Sequence, residues 1–197
     1  MANQKGKKYG FTALFPIEPG EHAAQLRVHL RSLDSHPNGS PLSGVPIVHM
    51  ARFAIINQMP YQGLPAKNDS LNSAYLLFLC EFDGSSSDVL VQHLVEEIPD
   101  EVTAIWRHCR AFPGTQSVDH LADYFSRCQL DTTLFLTDRP MDSVEDILRA
   151  LVYKQKFSEL VLWAQQQAGA LDPNQLKAKI QDLRTIDTAP APAPGSL

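Results

Sequence analysis

Ile47-Val48-His49-Met50-Ala51-Arg52-Phe53-Ala54-Ile55-Ile56 is a nearly continuous apolar run, and Ala74-Tyr75-Leu76-Leu77-Phe78-Leu79-Cys80-Glu81-Phe82 is a second. Each is of strand length, and each lies between segments rich in Pro, Gly, Asn and Ser, so both read as strands. Their apolar residues fall on both faces of an extended chain, which predicts a sheet buried on both sides. Upstream, Phe11, Ala13 and Phe15 alternate with Thr12 and Leu14 and predict a strand over residues 9–16. Between the first two strands, Ala23, Leu26, Leu30 and Leu33 recur at helical spacing. Downstream of Asp83-Gly84, Ser85 and Asp88 form a capping-box pattern ahead of Leu90, Val91, Leu94, Val95 and Ile98, a helical face closed by Pro99. Two more helical pieces, 101–110 and 118–128, flank the Pro113-Gly114 turn, and residues 132–137 alternate as a fourth strand.

The order is therefore β-α-β-β-α-β, which predicts an α+β, ferredoxin-like antiparallel sheet of strand order 4-1-3-2 with its helices on one side. The other face then needs a cover. The candidates are a C-terminal helix starting at Val144, a second copy of the sheet in a dimeric α+β barrel, or both, so a homodimer is expected. Asp142 and Glu145 suggest a capping box opening that helix, which runs towards Gln167, and Pro173 can begin a last helix to Arg184. Residues 1–8 read as a disordered tail, 9–186 as a single domain with a helical extension, and 187–197 as an extended Pro/Ala tail.

The composition agrees with one folded domain: 197 residues, 44% apolar and 20% charged. A formal net charge of -5 argues against a nucleic-acid partner, because Lys5, Lys7 and Lys8 are the only basic cluster and sit beside a chain end. Cys80, Cys109 and Cys128 are far apart and odd in number, which fits reduced thiols and a cytoplasmic location. No leader-like apolar stretch follows the N-terminal lysines and no run approaches 18 apolar residues, so no membrane partner is expected.

Few residues offer chemistry. His49 and Arg52, three apart on a strand, should leave opposite faces of the sheet. If the second and third strands pair, an even sum of paired residue numbers turns His49 towards Glu81 and an odd sum turns Arg52 towards it. Such a pair reads first as a structural ion pair or hydrogen bond. The alternative is a ligand-facing site of His49, Arg52, Tyr75 and Glu81, in which Arg52 would grip a carboxylate or phosphate. His108 and Cys109 are neighbours on a helix and point about 100° apart, which suits a helix cap and a buried thiol better than a catalytic couple. His120 and Asp123 supply two ligand types on one helix face without a third, so no metal site is expected. His22 and His29 read as part of the solvated face of their helix. The chain has no phosphate-binding glycine loop, G-x-S-x-G elbow or H-E-x-x-H, and no residue stands out as catalytic.

Three segments carry a family likeness: Val48-His49-Met50-Ala51-Arg52-Phe53, Leu77-Phe78-Leu79-Cys80-Glu81-Phe82-Asp83-Gly84 and Ile105-Trp106-Arg107-His108-Cys109-Arg110-Ala111-Phe112-Pro113-Gly114. They resemble a largely uncharacterised bacterial family with H-x-A-R-F, F-D-G and W-x-H-C-x-x-F-P-G motifs, over roughly residues 45–155, with Met50 where that family has Phe. The resemblance implies a ferredoxin-like domain that sometimes accompanies haem peroxidase or other oxidoreductase modules, and hence a possible oxidoreductase partner. It supports fold more than activity. The function expected is an accessory or ligand-binding domain; the alternative is an enzyme acting on a small organic or lipid-like substrate in a sheet-face pocket, with haem held by His49 or His93. The terminal Gly195-Ser196-Leu197 resembles the core of targeting peptides carried by cargo of bacterial protein shells.

Overall fold

A computed structural model describes residues 2–35, 40–59, 61, 63–65, 70–167, 169, 172–186 and 191–193. The terminal Gly195-Ser196-Leu197 lies outside them.

The core begins with the alternation in β2 (Lys8–Pro16), whose Tyr9, Phe11, Ala13 and Phe15 are buried. β3 (Val48–Gln58) and β4 (Ser70–Asp83) are the two apolar runs, and a two-residue β1 (Gln4–Lys5) precedes β2. All pairings are antiparallel and the order is β1-β2-β4-β3. The three longer strands are thus neighbours in the order first, third, second.

The alternating segment 132–137 does not join the sheet. The edge of β2 that it was expected to pair is occupied piecemeal. Gln4–Lys5 pair with its start, Gln129 bridges Ala13 while Leu130 N donates to Thr12 O, and Cys109 bridges Ile17. These contacts take up several of the backbone groups that a fourth strand would have satisfied, Gly10 N, Thr12 O and Pro16 O among them. Gln4–Lys5 belongs to the stretch read as a disordered tail, and it forms the edge strand of the sheet, with Lys8 the first residue of β2.

The helices are α1 (His22–Ser32), α2 (Ser87–Glu97), α3 (Pro99–Trp106), α4 (Val118–Cys128), α5 (Val144–Gln166) and α6 (Pro173–Thr185). The first four cover one sheet face. Leu26, Leu90, Leu94, Val102, Leu121 and Phe125 join the buried strand residues in one cluster. At its centre Trp106 meets Phe15, Phe53, Phe78 and Phe125 with ring centroids 5.0–5.9 Å apart, the spacing at which aromatic pairs attract beyond area burial.

Two caps lie one residue beyond their expected positions. Ser86, without a side-chain cap bond, precedes α2, and Ser143 with Asp146 forms the capping box of α5, where both reciprocal bonds are present. α5 then departs from the sheet and takes α6 as its main partner. It is not the expected cover of the second face. Leu151, Tyr153, Phe157 and Leu162 are exposed along it. No helix among the described residues is long and apolar enough to cross a membrane.

Candidate functional site: the second face of the sheet

The register arranges the uncovered face in four rows across β2, β4 and β3: Gly10-Glu81-Met50, Thr12-Leu79-Arg52, Leu14-Leu77-Ala54 and Pro16-Tyr75-Ile56. Paired residues project to the same side, so these twelve form one surface. Its middle and upper rows are half-buried Leu14, Leu77, Leu79, Ala54 and Ile56, while Met50 and Arg52 are exposed.

The lower end is polar and closed. Lys8 Nζ lies 3.1 Å from Glu81 Oε1, with side chains only 5% and 18% exposed, and Thr137 Oγ1 donates to the same oxygen at 2.9 Å. Phe135, from the segment that failed to become a strand, lies over Gly10. A Cβ at residue 10 would come within 2.7 Å of that ring. Gly10→Ala is therefore expected to destabilise the protein by about 1–3 kcal/mol through overpacking, read as a lower urea midpoint. An unchanged midpoint would mean that Phe135 is not packed on the sheet.

A β-bulge between Val48 and Met50 makes His49 the extra residue of β3, outside the two-residue alternation of the strand. Its Nε2 lies 2.8 Å from Asp83 Oδ1, and Asp83 Oδ2 accepts a 2.7 Å bond from the Val144 backbone N–H. One carboxylate thus ties the bulge, the end of β4 and the first turn of α5. A groove of about 420 Å³ beside it is lined by Leu42, Met50, Ile147 and Leu148.

Of the four residues expected to form a site, the odd register, Arg52 opposite Leu79, puts Arg52, Tyr75 and Glu81 on one face. They do not converge. Arg52 and Tyr75 are two rows apart, about 13 Å along the strands, and Glu81 is already engaged by Lys8 and Thr137. His49 is held away by Asp83. Its Nε2, the less hindered imidazole nitrogen, is occupied by that bond, so it does not fit axial ligation of haem.

The remaining reactive side chains are not activated. Burial pushes the Cys109 thiol up to about 12 and the Cys128 thiol up to about 11, and it raises Cys80 further, with Glu81 adding to the effect. Thiols held this high are not nucleophiles at neutral pH. No group of three His, Cys, Asp or Glu suited to a metal ion occurs among the described residues. His120 is exposed, and Asp123 pairs with Arg127 rather than with it.

No family model, curated protein or solved structure matches this chain. The site must therefore be judged on its own geometry.

One pair escaped the reading of the sequence. His22 is only partly exposed, and its Nδ1 lies 3.2 Å from Nδ1 of His108, which is 4% exposed, while Arg107 Nε approaches His108 Nε2 at 3.5 Å. His22 and His108 are 86 residues apart, so only the packing of α1 against α3 brings them together. Burial first, then Arg107, His22 and His29, lower the His108 pKa. The unfolded chain therefore binds this proton first as pH falls. Stability is full above the unfolded value of about 6.5 and declines below it. Urea midpoints should drop between about pH 7.5 and about pH 5.5, and His108→Asn should flatten that slope. An equally steep slope in the variant would show that His108 is not the group responsible.

Proposed function

We propose that this chain is a non-catalytic, ferredoxin-like accessory domain that works by binding through the second face of its sheet, and that its first occupant there is a second copy of itself. The observation that carries this reading is the contrast between the two faces. One is packed by four helices, and the other leaves Leu14, Ala54, Ile56, Leu77 and Leu79 half-buried with no helix of the described residues across them. Soluble monomers rarely leave a contiguous apolar surface of this kind uncovered. Two such faces packed sheet on sheet about 10 Å apart would bury each other in an isologous dimer.

The absence of activated side chains on this face favours binding over catalysis. Its ionisable groups are the paired Lys8 and Glu81, Arg52 and Tyr75. The likeness of residues 45–155 to an oxidoreductase-associated family fits an accessory role, with the dimer then offering its helical surfaces to a partner enzyme. Sedimentation velocity of the full chain over a range of concentrations tests the dimer. A mass rising from one chain to two supports it, and a single-chain mass at every concentration up to near-millimolar overturns it.

A further inference from the structure

A second surface carries a different chemistry. β3 is the outer strand of the sheet, and between it and α1 runs a groove of about 550 Å³. Its walls are apolar, from Leu30, Leu33, Leu42, Phe53 and Ile55, and its rim carries Arg27 and Arg31.

These two arginines are one turn apart on α1, a spacing at which like charges repel and weaken a helix. Four of the nine arginines have a carboxylate at hand, Arg110 beside Glu18, Arg127 beside Asp123, Arg139 beside Asp142 and Arg149 beside Glu145. Arg27 and Arg31 rim this groove without an ion pair among the described side chains, which do not include Asp34 three residues beyond Arg31, and Arg52, Arg107 and Arg184 are likewise without one. The competing explanation is that the methylene stems of Arg27 and Arg31 merely shield the apolar wall while the guanidinium groups are hydrated. Shielding alone needs no pair of charges beside an open groove of ligand size.

We infer that this groove binds a carboxylate-headed amphiphile, with the guanidinium groups of Arg27 and Arg31 gripping the head and the apolar walls between α1 and β3 holding an alkyl tail. Two forked donors match a carboxylate, and a wall without free polar groups accepts an alkyl chain without selecting for its substituents. Ser40, the polar residue on the wall, already accepts a bond from Leu42 N through its hydroxyl oxygen.

Isothermal titration of the full-length protein with sodium dodecanoate below its micelle concentration, alongside dodecanol, tests the inference. Dodecanoate should bind at one per chain, more tightly than dodecanol, and Arg27→Gln/Arg31→Gln should weaken dodecanoate at least about tenfold while leaving dodecanol unchanged. Arg27→Lys/Arg31→Lys, which keeps the charge and loses the fork, should fall between the two and guards against a folding defect in the Gln variant. Equal affinity for dodecanoate in the wild type and the Gln variant, equal affinity for dodecanoate and dodecanol, or no binding would each overturn it. So would loss of binding in Arg52→Gln alone, because the ligand would then lie on the second sheet face. A synthetic acidic peptide displacing dodecanoate at lower concentration would overturn the assigned ligand class.

Discussion

Replacing Lys8 with Met is expected to lower the free energy of unfolding by about 3 kcal/mol. Lys8 is almost fully buried, and its ammonium is the cation beside the carboxylate of Glu81. Without it Glu81 keeps one hydrogen bond, from Thr137, at a site where water reaches it poorly. The cost is that of a charge left without its counterion, which exceeds what the intact pair contributes over an apolar substitute. The double variant Lys8→Met/Glu81→Leu should accordingly recover most of the loss. Urea unfolding of the wild type, both single variants and the double variant measures the coupling. A loss below about 1 kcal/mol in Lys8→Met would show that Glu81 is adequately solvated and that this end of the face is open.

Leu77→Glu is expected to abolish self-association while leaving the monomer folded. Leu77 is at the centre of the uncovered face, with Leu14 on one side and Ala54 on the other. In a single chain the new carboxylate can reach water across the open surface. In the dimer each copy would bury one without a partner, which should raise the dissociation constant at least about 100-fold. The variant should keep the wild-type circular dichroism spectrum and sediment as one chain. A variant that still forms a dimer of unchanged affinity would place the interface elsewhere, with the exposed apolar residues of α5 the next surface to test.

Much of the fold was legible because its signals are local. The alternation at Phe11, Ala13 and Phe15 and the apolar runs around Phe53 and Phe78 each specify a strand without knowledge of the rest. The span of α4 follows from the same kind of periodicity. Residues 132–137 misled because alternation describes a strand's side chains and not its partner. The edge they would have joined is taken by Gln4–Lys5, Gln129–Leu130 and Cys109, contacts set by tertiary packing. Of the two covers expected for the second face, the helix could not be judged from the sequence for a related reason. The residues of that face are apolar enough for burial, yet α5, the helix expected to cover them, is tied at Val144 to Asp83 and pairs with α6.

The candidate site was legible residue by residue and not as a constellation. Parity of register correctly allowed Arg52 to share a face with Glu81, but only coordinates show that Lys8 reaches Glu81 first. His49 could not be placed from spacing alone, because a bulge breaks the two-residue period on which face assignment rests. The His22–His108 contact and the Arg27–Arg31 groove depend on where α1 lies on the sheet, and strand periodicity says nothing of that.

The most direct test of the working surface is a series of methyl carbon–proton spectra of the full chain, recorded from low micromolar to near-millimolar concentration. Concentration-dependent shifts confined to the methyl groups of Leu14, Ala54, Ile56, Leu77 and Leu79 are predicted. Shifts on Leu151, Val161 and Leu162 of α5 with none on the sheet, or no shifts at all, would contradict the account.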